Sequence, residues 1–204
     1  MQIRKPVRQL TYNLILSGLL FLSVLLQSAT NREEVSGAAL AAPPALLLKA
    51  SDAQATLVRT IHTSLFSPPS PDPTGIAYLP ATNTLLISDS EVEEMPDLFT
   101  GDNLFEATLS GSLTNTSSAT TFSNEPAGVA FDHSNAHVFF TDDGSDRIFE
   151  VNPGPDGRYG TADDIVTSFS TRPFGSHDPE GVAFDIQQRA LFITDATNRQ
   201  VYRV

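Results

Sequence analysis

The chain has 204 residues, no cysteine, no tryptophan and a formal net charge of −12. The missing thiols exclude a disulfide framework, thiol catalysis and a thiolate zinc site. Beyond Ala50 the chain carries 22 Asp and Glu against seven Arg and no Lys, a balance that repels nucleic acid and anionic lipid and attracts cations.

Arg4, Lys5 and Arg8 precede an apolar run, Leu14 to Leu26, broken only by Ser17, Gly18 and Ser23. Such a run is short for a membrane span and suits a signal-peptide core. Residues 1–30 therefore predict a signal peptide, with a retained anchor as the alternative, and an exported protein. Gln27-Ser28-Ala29 lacks a small residue at its first position, and Ala39-Leu40-Ala41 has the right residues but lies downstream, so the cleavage point stays open. Residues 31–54, with Ala39 to Pro44 at their centre, read as a linker. Leu57 to Ile61, "LVRTI", reads as an isolated strand.

Three related phrases follow: "DPTGIAYLPATNTLLISDS" from Asp72, "EPAGVAFD" from Glu125 and "DPEGVAFD" from Asp178. Their glycines, Gly75, Gly128 and Gly181, are 53 residues apart, twice. Asp89, Asp142 and Asp195, which close the second apolar run of each phrase, keep the same spacing of 53. Two landmarks with one period predict a repeat architecture over residues 55–204.

The second module reads as four short strands at 128–132, 137–141, 147–151 and 165–170, separated by Ser134-Asn135, Asp143-Gly144 and the stretch from Pro153 to Gly160. No segment sustains a helical period. Four antiparallel strands in a repeat of this size predict a propeller blade, so the fold class is all-β. The third module stops after its third strand at Val204. A ring needs at least four blades, so the expectation is a partial β-propeller. It is either a piece of a longer chain or a half-ring that pairs with a second copy through its open blade edges. In a paired half-ring, Leu57 to Ile61 would supply the missing fourth strand of the partner's third module.

In an antiparallel meander, the lead into strand one and the turn between strands two and three lie at one end. Asp72-Pro73-Thr74, Glu125-Pro126-Ala127 and Asp178-Pro179-Glu180 should thus share a rim with Asp89, Asp142 and Asp195. The first module enlarges that rim with "SEVEEMPDLFTGD", which adds Glu91, Glu93, Glu94, Asp97 and Asp102. The expected ligand is a divalent cation or a cationic or metal-bridged molecule. Glu180 stands out because its counterparts are Thr74 and Ala127, so the fold does not require an acid there. His177 is a candidate proton carrier on the same rim. His62, His133 and His137 show no metal-ligand spacing, and there is no Gly-x-Ser-x-Gly elbow.

A second candidate cation loop lies at Asn152 to Asp164. It places Asn152, Asp156, Gly157 and Asp163 at positions one, five, six and twelve of a calcium-loop pattern, with Gly154 where an acid is usual.

The phrases P-x-G-V-A-F-D, L-F-I-T-D and N-R-Q-V-Y-R-V in the third module resemble NHL-repeat and gluconolactonase-type propellers, usually six-bladed, although the period here is longer. In gluconolactonase-type and esterase-like phytase propellers, acids at the channel mouth hold calcium or another divalent metal. The resemblance therefore implies a cation held by Glu180 together with Asp89, Asp142 or Asp195. The expected function is an exported binding module stabilised by calcium. A divalent-metal hydrolase of lactonase or phosphoesterase type and a truncated piece of a longer propeller are the alternatives.

Overall fold

A computed structural model describes residues 55–204. The expected leader at 1–30 and linker at 31–54 lie outside the described residues. Eleven strands form three antiparallel sheets of four, four and three strands. The first holds β1 (Pro73–Leu79), β2 (Thr84–Asp89), β3 (Leu104–Thr108) and β4 (Leu113–Ser117). The second holds β5 (Pro126–Phe131), β6 (Val138–Asp142), β7 (Arg147–Asn152) and β8 (Ile165–Ser170). The third holds β9 (Pro179–Asp185), β10 (Ala190–Asp195) and β11 (Gln200–Arg203). Each is a simple meander in chain order, so the chain is a partial β-propeller of three blades. Among the described residues there is no α-helix, and no helix is long and apolar enough to cross a membrane.

Burial along each second strand shows how many neighbours its sheet has. Side chains alternate between faces. β6 is buried at every position because Val138 and Phe140 pack toward the first sheet, while Phe139 packs toward the third. β10 alternates from Leu191 onward: Leu191, Ile193 and Asp195 are buried, and Phe192 and Thr194 are exposed. We call the face a sheet turns to the next sheet in chain order its leading face, and the opposite one its trailing face.

The interface of blades 1 and 2 is built from Ala77, Leu86 and Leu104 against Val129, Val138 and Phe140. That of blades 2 and 3 is built from Ala130, Phe139 and Ile148 against Leu191, Ile193 and Phe184. Burying one such side chain contributes about 1.5–3 kcal/mol. The stack of Phe139 on Phe184, ring centroids 5.4 Å apart, adds specificity of orientation. On the outer half of each trailing face the connecting segment inserts an aromatic wedge. Phe66 packs on Phe105 of blade 1, Phe122 on Phe149 of blade 2, and Phe174 on Tyr202 of blade 3.

Glycine is required where adjacent first strands approach. A Cβ on Gly75 would press into the Ala127 carbonyl of blade 2, and one on Gly128 into the Glu180 carbonyl of blade 3. A hydroxyl bridges the same seam: Ser88 Oγ donates to Ala127 O at 3.1 Å, and Thr141 Oγ1 to Glu180 O at 2.5 Å.

Two expectations shift. The first strand of module two starts at Pro126 rather than Gly128, because Pro126 still pairs with Asp142 across a local register change. Leu57 to Ile61 is not a strand. It runs along the β3–β4 turn, where Arg59 Nη1 donates to Ser110 O and Ile61 lies over Gly111. "LVRTI" has strand propensity, but β1 and β4 offer it no ladder within this chain.

Candidate cation site on the acidic rim

The rim begins with a repeated corner. Pro73 pairs with Asp89, Pro126 with Asp142 and Pro179 with Asp195, so the lead into each first strand meets the end of each second strand, as the meander requires. At each corner a serine donates to the aspartate: Ser70 to Asp89 at 2.7 Å, Ser123 to Asp142 at 2.6 Å and Ser176 to Asp195 at 2.8 Å. These serines sit 19 residues before their partners and keep the period of 53. The other carboxylate oxygen caps the following turn, taking Val92 N at Asp89, Ser145 N at Asp142 and Asn198 N at Asp195. All three aspartates are buried.

At Asp195 burial alone would raise the pKa. The bonds from Asn198 N, Ser176 Oγ, His177 N and Asp178 N outweigh it and hold the carboxyl at about 2. These aspartates fasten each blade's loops together. Their oxygens are directed at amides and hydroxyls of their own modules rather than at a common point.

One acid further out, the arrangement changes. Ligand oxygens of Asp143, Asp178 and Glu180 all lie within 4.8 Å of one another. Asp143 comes from the β6–β7 turn of blade 2, and the other two flank Pro179 at the start of blade 3, so the group straddles the blade seam. Asp143 Oδ1 is buried without a hydrogen-bond donor. Asp178 Oδ2 accepts from Thr197 Oγ1 at 2.9 Å. Among the described residues none of the three is paired with a basic side chain.

Their proton affinity reflects this crowding. Burial, then the Asp143 and Asp178 charges, raise the pKa of Glu180. Burial is also the first cause at Asp143; its own backbone amide opposes it, and Asp142 and Asp178 add to the rise.

The acidic patch extends across the blade 1 insertion. Val92 is buried and forms a short 3-10 turn with Glu93 and Glu94 that anchors the loop. Both carboxylate oxygens of Glu93 are buried without a donor, and burial, with the Glu125, Glu91 and Asp89 charges, pushes its pKa up to about 7 against the pull of its own backbone amide. Glu91 is raised by burial, then by Glu94, Asp72 and Asp143. Glu125 is raised by burial, then by Asp143 and Asp142. A cleft of about 370 Å³ opens beside Glu125, lined by Thr120, Phe122, Ser123 and Gly144.

Glu180 thus belongs to a converging acid group, whereas Asp89, Asp142 and Asp195 are spread over three corners. His177 is exposed beside the group, and its backbone N–H donates to Asp195 at 2.8 Å. Sequence reasoning missed Asp143 and Asp178 as ligands. Asp178 was visible as the counterpart of Asp72 and Glu125. Asp143 has Ser90 and Ala196 as counterparts, the same kind of departure from the repeat that singled out Glu180.

The loop at Asn152 to Asp164 is organised by its own amides. Asn152 Oδ1 accepts from Gly154 N, Asp156 Oδ1 from Arg158 N, and Asp163 Oδ2 from Asp156 N. Asp164 Oδ2, not foreseen, accepts from Gly160 N at 2.7 Å and Thr161 N at 3.1 Å. Among the described residues, Asp156 and Asp163 are not part of a converging group of three acids.

No protein-family model matches the chain, and no curated protein matches it. Solved structures are similar over part of it, and two of them are as follows. The nidogen/laminin complex is 23% identical with a TM-score of 0.46, and the hydrazine synthase of Kuenenia stuttgartiensis is 15% identical with a TM-score of 0.40. The similarity covers 64% and 75% of this chain, which spans only 42% and 38% of those chains.

Proposed function

We propose that these blades form a binding module of an exported propeller, of the NHL or gluconolactonase type that the third module resembles, and that its acidic rim takes a divalent cation or a cationic ligand. The observation that carries this reading is the convergence of Asp143, Asp178 and Glu180 within 4.8 Å, with no basic partner among the described residues. Three carboxylates form a hard-oxygen donor set, suited to calcium or magnesium rather than to zinc or copper. The buried Asp143 Oδ1, with no donor on it, has its lone pairs available to a cation or to a donor group of a cationic ligand. Three ligands leave part of a calcium shell to water or to a bound molecule. The cation would thus stabilise the seam of blades 2 and 3 and offer a site for an anionic or hydroxylated ligand group.

Calcium titration followed by thermal melting tests this. Millimolar calcium should raise Tm, and Asp143→Asn and Glu180→Gln should each remove most of the rise while leaving the calcium-free protein folded. An unchanged Tm at millimolar calcium and at millimolar magnesium overturns the cation reading.

A further inference from the structure

The three Ser–Asp corners share their hydrogen bonds, but their turns are not filled alike. The third residue after each corner aspartate is Val92 in blade 1, Ser145 in blade 2 and Asn198 in blade 3. Val92 is buried. Asn198 Nδ2 donates to Gly175 O at 2.6 Å and so ties the β10–β11 turn to the lead into β9. Ser145 has a side chain one bond shorter, and among the described residues only its backbone N–H is engaged, with Asp142. The cleft of about 370 Å³ opens at this corner, between the β4–β5 connection and the β6–β7 turn. Its lining comes from residues between Thr120 and Ser145, so neither end of the described chain takes part.

The acid before the corner proline also departs from the repeat. In blade 3 it is Asp178, which takes a hydrogen bond from Thr197 Oγ1 at 2.9 Å. The counterparts of that pair in blade 2 are Glu125 and Gly144. Glycine removes the hydroxyl donor, and the longer acid lies over the turn, where a Cβ on Gly144 would collide with its carboxylate. Glu125 thus stands in the cleft wall, and among the described residues no basic side chain pairs with it. Burial, then the charges of Asp143, Asp142, Glu91 and Glu94, disfavour its ionised form, and a cation in the cleft offsets both. Around the carboxylate, Thr121, Asn124 and Ser145 supply oxygen acceptors. Phe122, which packs on Phe140 and Phe149, supplies apolar surface. A bare divalent ion asks for several oxygens at one point. One carboxylate beside a ring and hydroxyls suits a charge carried on an apolar stem. The volume, at the low end of the roughly 300–1,000 Å³ of ligand clefts, fits one side chain or a small amine.

We infer that the blade 2 corner is a subsite for an organic cation, an ammonium or guanidinium group on an apolar stem, held by Glu125 and admitted because Ser145 leaves the corner open. This deepens the reading of the rim as cation-seeking, on which it rests, and assigns the organic cation a place apart from the Asp143, Asp178 and Glu180 group. Glu125 accepts the charged hydrogen bond, the neighbouring hydroxyls and the Asn124 amide oxygen take the remaining N–H groups, and the stem lies against Phe122. The two sites share the β6–β7 turn, with Asp143 in one and Gly144 and Ser145 in the other.

Titration of the full chain at low salt with Nα-acetyl-lysine amide, Nα-acetyl-arginine amide and putrescine tests this, with Nα-acetyl-norleucine amide as the uncharged control. A charged probe should bind at least about tenfold more tightly than the control, as a hydrogen bond to a charged group implies. Tighter binding of the amino-acid amides than of putrescine assigns the subsite to a basic side chain of a peptide, and the reverse assigns it to a free amine. Glu125→Gln should remove the preference for charge. Ser145→Asn, which imports the blade 3 residue, should close the cleft and weaken every charged probe by about the same factor. Circular dichroism and melting check that both variants are folded. The calcium-induced rise in Tm reads the other site separately: Ser145→Asn should keep it, and Asp143→Asn should lose it while still binding the probe. Probe binding without a calcium effect leaves the subsite standing and removes the metal reading. No binding of any charged probe at about 10 mM, equal binding of the control, or binding that neither Glu125→Gln nor Ser145→Asn weakens overturns the subsite.

Discussion

At the residue scale the least obvious feature is the Ser–Asp corner. Ser70, Ser123 and Ser176 are as regularly spaced as the glycines and aspartates, so the corner was legible in the sequence as Ser-x-Asp/Glu-Pro-x-Gly. The spacing of the aspartates alone gives no role, because a repeated carboxylate can serve a ligand or the turn that presents it. Their hydrogen bonds decide in favour of the turn. A buried charge that loses a donor retains its desolvation cost. Ser123→Ala, which removes the 2.6 Å bond to Asp142, should therefore destabilise the domain by about 1–3 kcal/mol. Ser110→Ala, which removes the solvent-exposed bond to Thr108, should cost well under half as much. Urea denaturation of the two variants makes the comparison, and equal losses would deny the corner its structural role.

At the element scale the blades were legible because β propensity, turn residues and period agree. The second module's strands at 147–152 and 165–170 match the reading to within one residue. The failures have physical causes. Leu57 to Ile61 has the composition of a strand, but a strand also needs an edge. The acid group at the seam joins a turn of one module to the first strand of the next, and no local spacing encodes that approach. The same seam accounts for the glycines. Gly128→Ala would drive a Cβ into the Glu180 carbonyl and bring it 3.0 Å from Gly181 Cα, both backbone atoms, so blades 2 and 3 must separate. The expected loss is about 2 kcal/mol or more. Gly181→Ala meets only the Thr194 hydroxyl at 2.9 Å, on an exposed side chain that can turn away, and should cost less than half as much. If chemical denaturation ranks the two variants in the opposite order, close approach of neighbouring first strands is not the reason for glycine here.

At the scale of the whole molecule the acidic rim couples all three modules, and its sign with pH can be worked out. Glu91, Glu93, Glu125, Asp143 and Glu180 have pKa values raised in the folded state, chiefly by burial and then by one another's charges. A carboxyl raised on folding binds more protons in the native than in the unfolded chain, so it costs stability above its folded pKa and the cost disappears as pH falls. Glu93, at about 7 against an ordinary 4.5, places that window between roughly pH 7.5 and 4.5. Asp195 acts in the opposite sense. Held at about 2, it contributes stability above the ordinary carboxylate pKa and loses it as pH falls from about 4 to about 2. Stability should therefore peak near pH 5 instead of at neutrality. Because the rim groups are only partly withdrawn from water, the rise in Tm from pH 7.5 to 5 should be modest, about 2–4 °C. High salt should shrink it. Glu93→Gln should flatten this limb without altering the acid collapse below pH 4, whereas Ser176→Ala should move the acid collapse to higher pH and leave the neutral limb intact. Calcium at pH 7.5 should reproduce much of the gain and add little at pH 5, where protons already neutralise the rim. Thermal melts across that range decide the matter, and a Tm that falls steadily from pH 7.5 to 5 would show that mutual repulsion on the rim does not govern the stability of the assembled blades.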